Sequence, residues 1–217
     1  RPILVGGTGL YLESLIRGTD FAAGSAGGVT RQRLQQRLEQ EGVGPLLAEL
    51  QTIDPDSAAR LHPGDEKRIL RALEVWYETG ETITQHDHRT RQQAPRYRAA
   101  YIGLSFQDRA QLRRRIDLRV DKMLEAGLLA EAEYVWHNRE AFRTAAQAIG
   151  YKEFFPYFQQ TATLEVCTEK LKQASRNYAK RQLTWFRHMD GVTWLDAGAA
   201  DVRQTALRLT QDFLLKG

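Results

Sequence analysis

The sequence has little cysteine and no long apolar segment. Cys167 is the single cysteine among 217 residues, which excludes a disulfide framework and a zinc site of several thiolates, and favours a reducing environment. No apolar run approaches the roughly 20 residues that cross a bilayer, and no signal-like segment opens the chain. We therefore expect a cytoplasmic protein with no membrane partner.

Several common catalytic signatures are also absent. The chain contains neither a glycine-flanked serine elbow nor an intact Walker A sequence, so an acyl-transfer triad and a self-contained nucleotide hydrolase are unsupported. His86 and His88 flank one aspartate, but they lack the partners and spacing of a zinc or facial-triad site. We expect no metal held directly by protein side chains.

Positive charge is present, and it is concentrated. The formal net charge is +4 and the sequence pI is about 9.3. At helical spacing, a line of cations is interleaved with aromatics near the C-terminal end: Lys172, Arg176, Lys180 and Arg187, with Tyr178, Trp185 and Phe186. Clustered cations match phosphates and aromatic faces match unstacked bases, which predicts a single-stranded or looped RNA as partner. A solvated helix face with its aromatics in the core is the alternative.

A strand, a glycine turn and a helix are predicted at the start. Residues 3–5 are typical of a buried parallel strand, and such a strand needs neighbours, so we expect further chain before it. Gly6, Gly7 and Gly9 then turn the chain into a helix over residues 10–16. This geometry can present N–H groups to an anion, although tight turns also need glycine for steric reasons alone.

The remaining pattern indicates an α/β domain interrupted by helices. Residues 19–28 are small and glycine-rich, and helical patterns follow, including one with Lys67, Arg68 and Arg71 opposite an apolar arc, before the polar residues 85–98 form another connection. A return strand is predicted at 101–104, a last strand at 192–195, and helices at 107–126, 128–138, 144–151, 164–188 and 201–215. We predict an α/β core of residues 1–18 and 99–217 with a helical insertion at 19–98.

Arg119 is the most suggestive single charge. On the helix through Ile116, Val120 and Met123 it falls at the rim of the apolar arc, where a guanidinium would be half-buried and would need an anion. Arg suits bidentate recognition of phosphate oxygens. A snorkelling side chain, or one paired with a carboxylate, fits the same position.

Five segments resemble one family, the tRNA dimethylallyltransferases, also called tRNA isopentenyltransferases. In order they are PILVGGTGLYLESLIRG, LHPGDEKRILRALEVWYETG, RRRIDLRVDKMLEAGLLAE, QAIGYKEF and YAKRQLTWFRH. The resemblance implies a P-loop NTPase-like parallel-sheet core with a helical insertion. It also implies transfer of a dimethylallyl group from dimethylallyl diphosphate to the exocyclic amine of the adenine 3′ of the tRNA anticodon, within an RNA partner rather than DNA.

Matching positions imply roles for individual residues. Gly6, Gly7 and Thr8 resemble the turn that lines the reaction centre, with Thr8 close to the amine or the leaving group, and Arg119 resembles the diphosphate-binding arginine. The positions that match contacts to the tRNA anticodon loop are Arg31, Lys67, Arg68, Arg71, Gln147, Gly150, Tyr151, Lys152, Lys180, Arg181, Gln182 and Arg187.

The family pattern also includes elements that this sequence does not contain. A P-loop that grips the diphosphate and helps hold Mg²⁺, and an aspartate that takes the proton of the amine, precede the first motif in the family. We therefore expect the chain to be part of a longer enzyme and inactive alone, with Mg²⁺ held through the diphosphate and the absent loop. A non-catalytic RNA-binding module and an adenine-nucleotide prenyltransferase are the alternatives.

Overall fold

The computed structural model describes residues 2–19, 28–92 and 94–215. Contacts between residues divide the chain into two compact units. We call Leu10–Arg98 the helical unit, and Arg1–Gly9 together with Ala99–Gly217 the split unit. The helical unit ends at residue 98, where the predicted insertion also ends. It begins at residue 10, whereas the predicted insertion begins at residue 19.

The helical unit packs short helices around a leucine-rich core. Its helices are α1 (Gly9–Arg17, whose first residue lies in the split unit), α2 (Val29–Glu41), α3 (Val43–Ile53), α4 (Pro55–Arg60), α5 (Glu66–Thr79) and α6 (Ile83–Gln92). Leu34, Leu46, Leu50, Ile69 and Leu73 form the core and are almost fully buried. These leucines and isoleucine recur at helical spacing on α2, α3 and α5, which is why those three helices pack together.

The ends of these helices follow local chemistry. Gly28 precedes α2, and Thr30 lies inside the first turn of the helix. Asp54 accepts a hydrogen bond from the Ser57 backbone N–H and thereby starts α4, which the sequence pattern did not predict. Gly80 adopts a left-handed conformation with φ of 70° and ends α5.

The split unit combines two parallel strands with longer helices. Its elements are β1 (Tyr101–Ser105), α7 (Arg109–Glu125), α8 (Leu128–His137), 3₁₀ turns at Ala145–Gln147 and Lys152–Phe154, α9 (Phe155–Phe158), α10 (Leu164–Arg187), β2 (Val192–Asp196) and α11 (Val202–Leu215). The strands pair in parallel, with Tyr101 opposite Val192 and Ser105 opposite Asp196. Phe154, Cys167 and Leu171 are central to a second core.

Two predicted elements of this unit were wrong. Residues 3–5 form no strand, and the side chains of Ile3 and Val5 are 84% and 94% exposed, because no neighbouring strand pairs with them in the described part of the chain. The predicted helix at 144–151 is only a 3₁₀ turn, since Ala148 is extended and Gly150 has φ of 114°. Within the described residues, no helix combines the length and apolar character needed to cross a bilayer.

Candidate functional site

The glycine turn lies directly against α10. The Gln182 side-chain amide donates a hydrogen bond to the Gly7 carbonyl, with 3.0 Å between Nε2 and O. A Cβ atom on Gly7 would overlap that amide, and one on Gly9 would overlap the indole ring of Trp185. Glycine is therefore required here by the close approach of a helix as well as by the turn itself.

Thr8 lies between these two contacts and is exposed. It immediately precedes Gly9, the first residue of α1, so its hydroxyl is at the N-terminal end of a helix. Within the described residues Thr8 has no hydrogen-bond partner, and space is open around Gly6. A hydroxyl and free backbone N–H groups at a helix start can bind an anionic or polar group of a ligand.

Arg119 lies on an open face of α7. Together with Arg115, Lys122, Ile116 and Met123 it lines a hollow of about 610 Å³. The predicted half-buried position was wrong: Arg119 is exposed, because it lies on the side of α7 where Leu112 and Ile116 line the open hollow, whereas Val120 enters the second core. Its guanidinium has no ion-pair partner in the described part of the chain.

The chemistry of this hollow is both cationic and apolar. The guanidinium of Arg115 lies over the ring of Phe106, 5.2 Å from its centroid, which holds a second cation beside Arg119. The hollow is thus suited to a ligand that has an anionic head and an apolar tail.

Two acidic side chains on the opposite face of α7 neutralise two of the four cations that were predicted to form a line on α10. Arg176 Nη1 lies 2.6 Å from Asp117 Oδ1, and Lys172 Nζ lies 2.7 Å from Asp121 Oδ1. The hydrogen bond that Lys172 donates to Asp121 raises the pKa of Lys172. These two cations of α10 therefore join helices rather than offer charge to a polyanion. Asp117 and Asp121 are four residues apart on α7, as Lys172 and Arg176 are on α10, so the sequence contained a signal for these ion pairs.

The last two turns of α10 retain exposed cations. Lys180, Arg181 and Arg187 are exposed and have no ion-pair partner among the described residues. The Arg181 guanidinium lies 5.5 Å from the centroid of the Tyr178 ring. Tyr178 and Trp185 are 40% and 42% exposed, which contradicts the alternative in which these aromatics point into the core.

The QAIGYKEF segment connects α8 to α9 and includes parts of both 3₁₀ turns. Phe154 is fully buried in the second core and anchors it. The Gly150 N–H donates to Glu153 Oε2 at 2.9 Å, and the Tyr151 hydroxyl donates to Glu131 Oε1 at 2.8 Å, which raises the pKa of Tyr151. Gln147 and Lys152 remain exposed on the two 3₁₀ turns.

In the helical unit, the four predicted RNA-binding cations fall into two kinds. Lys67 and Arg68 are exposed on the first turn of α5. Arg31 and Arg71 both approach Glu74, a buried carboxylate that sequence reasoning missed. Nothing in the pattern set it apart, because a glutamate inside a helix is ordinarily exposed.

The described residues contain no group of three or more His, Cys, Asp or Glu side chains placed to hold a metal. His86 is buried and lies 3.8 Å from Asp87, which is a local pair. The three cations of the hollow, Arg115, Arg119 and Lys122, suit phosphate oxygens rather than a divalent cation.

Comparison with known proteins gives a consistent result. The family model described as IPP transferase matches residues 1–189. The tRNA dimethylallyltransferase of Lactobacillus johnsonii is 42% identical over 217 residues, which covers 99% of this chain and 70% of the relative. The enzyme of the same name from Bacillus subtilis is 43% identical over 195 residues, covering 90% of this chain and 62% of the relative. The chain thus spans about two thirds of the length of these relatives.

A solved structure supports the same relationship. It is described as a eukaryotic dimethylallyltransferase acting on tRNA, and it matches 97% of this chain and 56% of its own chain, with a TM-score of 0.73 and 27% identity. This similarity confirms the predicted fold class, a P-loop NTPase-like α/β fold with a mostly helical part.

Proposed function

The chain belongs to the IPP transferase family, and from that premise we propose that it forms the greater part of a tRNA dimethylallyltransferase. The reaction moves a dimethylallyl group from dimethylallyl diphosphate to the exocyclic amine of the adenine 3′ of the anticodon. Prenyl transfer to tRNA is the activity in the names of the relatives. The allyl donor, the anticodon loop and a cytoplasmic location are our finer proposals.

The single observation that carries the proposal is the hollow beside Arg119. Three cations, Arg115, Arg119 and Lys122, share it with the apolar side chains of Ile116 and Met123. Dimethylallyl diphosphate has this same division between a charged head and a short apolar tail. Binding its head through guanidinium groups would place the bond to be broken next to the positive charge.

The reaction requires these residues to stabilise charge and to position the reacting groups. The adenine amine attacks the allylic carbon, a C–N bond forms, the C–O bond breaks, and its electron pair leaves on the diphosphate while the amine loses a proton. Arg119 and its neighbours stabilise the negative charge on the departing diphosphate. We assign Thr8 and the turn of Gly6 and Gly7 to holding the amine or the leaving group in line.

The exposed cations of both units support tRNA as the acceptor. Lys67 and Arg68 in the helical unit and Lys180, Arg181 and Arg187 in the split unit are available to phosphates. Phosphate contacts of this kind supply affinity that depends on salt. We include Gln147, Gly150, Tyr151 and Lys152 in the same proposal.

The described side chains offer Mg²⁺ no group of three or more His, Cys, Asp or Glu residues. We propose that it reaches this enzyme bound to the diphosphate, and we assign no step to it.

Deletion of the gene tests the proposal. Nucleosides from digested tRNA should lose the dimethylallylated adenosine that mass spectrometry detects in the parent strain, and the gene supplied on a plasmid should restore it. Unchanged modification would contradict the enzyme. If the purified protein still bound tRNA in that case, the non-catalytic RNA-binding alternative would be favoured.

A further inference from the structure

Glu74 is a buried carboxylate between two candidate RNA-binding arginines. Only 2% of the residue is exposed. Its Oε2 atom lies 2.9 Å from Nη1 of Arg71, one turn earlier on α5, and 3.8 Å from Nη1 of Arg31 on α2. One oxygen atom of Glu74 therefore faces guanidinium groups from two different helices.

A contribution to folding stability does not explain why a carboxylate lies at position 74. Glu74 lies between Leu73 and Val75, both buried, and its Oε1 atom is buried without a hydrogen-bond partner in the described part of the chain. A half-satisfied carboxylate is unfavourable in an apolar core, and an apolar side chain of similar volume commonly serves such a position as well or better.

The two arginines remain accessible. The side chains of Arg71 and Arg31 are 37% and 26% exposed, so each stays partly accessible while its guanidinium lies beside Glu74. A guanidinium has five N–H donors, which allows one group to bind a carboxylate and a phosphate at once. A fixed side chain also loses less conformational freedom when a ligand binds.

We propose that Glu74 is a positioning residue that orients Arg31 and Arg71 toward the tRNA backbone. The proposal rests on the proposed function, since tRNA is the ligand. Glu74 brings a negative charge close to the RNA, so a purely electrostatic role would weaken binding, whereas a positioning role strengthens it. The two roles predict opposite signs for removal of the charge.

Glu74→Gln in the full protein tests whether removal of the charge weakens or strengthens RNA binding, with Glu78→Gln as the matched control. Both variants change the net charge by the same amount, and Glu78 is exposed on the same helix. Binding would be measured by fluorescence anisotropy with a labelled anticodon stem-loop RNA at several salt concentrations. We expect Glu74→Gln to weaken binding about fivefold and Glu78→Gln to leave it equal or slightly tighter. Equal or tighter binding by both variants would overturn the positioning role.

Two further measurements separate positioning from a structural effect. In a protein that already carries Arg31→Ala and Arg71→Ala, Glu74→Gln should have no additional effect on affinity, whereas an additive loss would overturn the proposal. Glu74→Met, which keeps the volume, should retain the melting temperature and still bind weakly; normal binding by it would also overturn the proposal. A wild-type protein that fails to bind the RNA would instead reject the proposed function.

Discussion

At the scale of single residues, the turn that carries Thr8 depends on two close approaches. Gly7 is held by the amide of Gln182, a flexible side chain that can move aside. Gly9 faces the rigid indole of Trp185 and is buried. Gly9 is therefore the position where an added methyl group is hardest to accommodate.

Gly9→Ala should destabilise the split unit and displace Thr8. The new methyl group would overlap the Trp185 ring, and overpacking of this kind costs about 1–3 kcal/mol. Thermal unfolding and transfer of a labelled dimethylallyl group to tRNA would measure the two effects. Gly6→Ala is the control for thermal unfolding alone, because in the described part of the chain no atom beyond its chain neighbours lies within 4 Å of a Cβ at that position. Equal unfolding temperatures of the two variants would show that α10 does not restrict the turn.

Arg119→Ala should impair use of the diphosphate substrate and leave RNA affinity near wild type. Loss of one preorganised donor to developing charge lowers turnover on the order of 100-fold. Steady-state kinetics with varied dimethylallyl diphosphate and anisotropy with labelled RNA would check both parts. Arg113→Ala, on the same helix but outside the hollow, should retain activity. Unchanged turnover and Michaelis constant for Arg119→Ala would remove its assigned role.

At the scale of elements, α10 has two functions along its length. Its middle turns join α7 through Arg176 and Lys172, while its last turns expose Lys180, Arg181 and Arg187. The same residue types thus join helices in one part of α10 and stay exposed, as the proposed RNA contacts, in another. Only the positions of Asp117 and Asp121 distinguish the two parts.

This division predicts different effects for two arginines of the same helix. Arg176→Ala should lower stability by about 1 kcal/mol, as expected for a partly exposed ion pair, and should change RNA affinity little. Arg187→Ala should leave the melting temperature unchanged, weaken RNA binding and reduce the slope of log affinity against log salt by about 1. Calorimetry and salt titrations would separate these outcomes. A larger loss of RNA affinity from Arg176→Ala would show that the ion pair opens on binding.

How far the elements could be predicted depends on where their stability originates. The helices with a clear apolar stripe, α7, α8 and α10, were predicted to within a few residues, because their stabilising contacts are encoded in their own periodicity. The polar helix α6 was missed. It is held by a distant residue, Asp54, which accepts hydrogen bonds from the Thr84 N–H at 3.1 Å and from its hydroxyl at 2.7 Å.

The candidate site divides in a similar way. Motifs were sufficient to indicate the glycine turn, Arg119 and the exposed cations, whose roles stay predictions. Ion pairing could not be read from composition: Asp121 and Asp117, the acids that lie nearest to Lys172 and Arg176, are more than 50 residues earlier in the chain, and Glu74 resembles any helical glutamate. Contacts between distant segments set the electrostatics of each cation, so a list of charges overestimates the surface available to RNA.

At the scale of the whole molecule, each unit has its own hydrophobic core. Leu73 is fully buried in the core of the helical unit, and Phe154 is fully buried in that of the split unit. No residue belongs to both of these cores among the described residues. Stability should therefore be local, and each unit should respond to damage in its own core.

Hydrogen exchange measured by mass spectrometry on the full protein would test this independence with a reciprocal pair of variants. Leu73→Ala removes about 2–5 kcal/mol from its core, so exchange should accelerate in α2, α3 and α5 while α7, α8 and α10 stay near wild type. Phe154→Ala should give the reverse pattern, because its ring packs among those three helices of the split unit. Faster exchange throughout both units after either substitution would show one cooperative molecule, since a shared unfolding transition spreads any local loss over every helix.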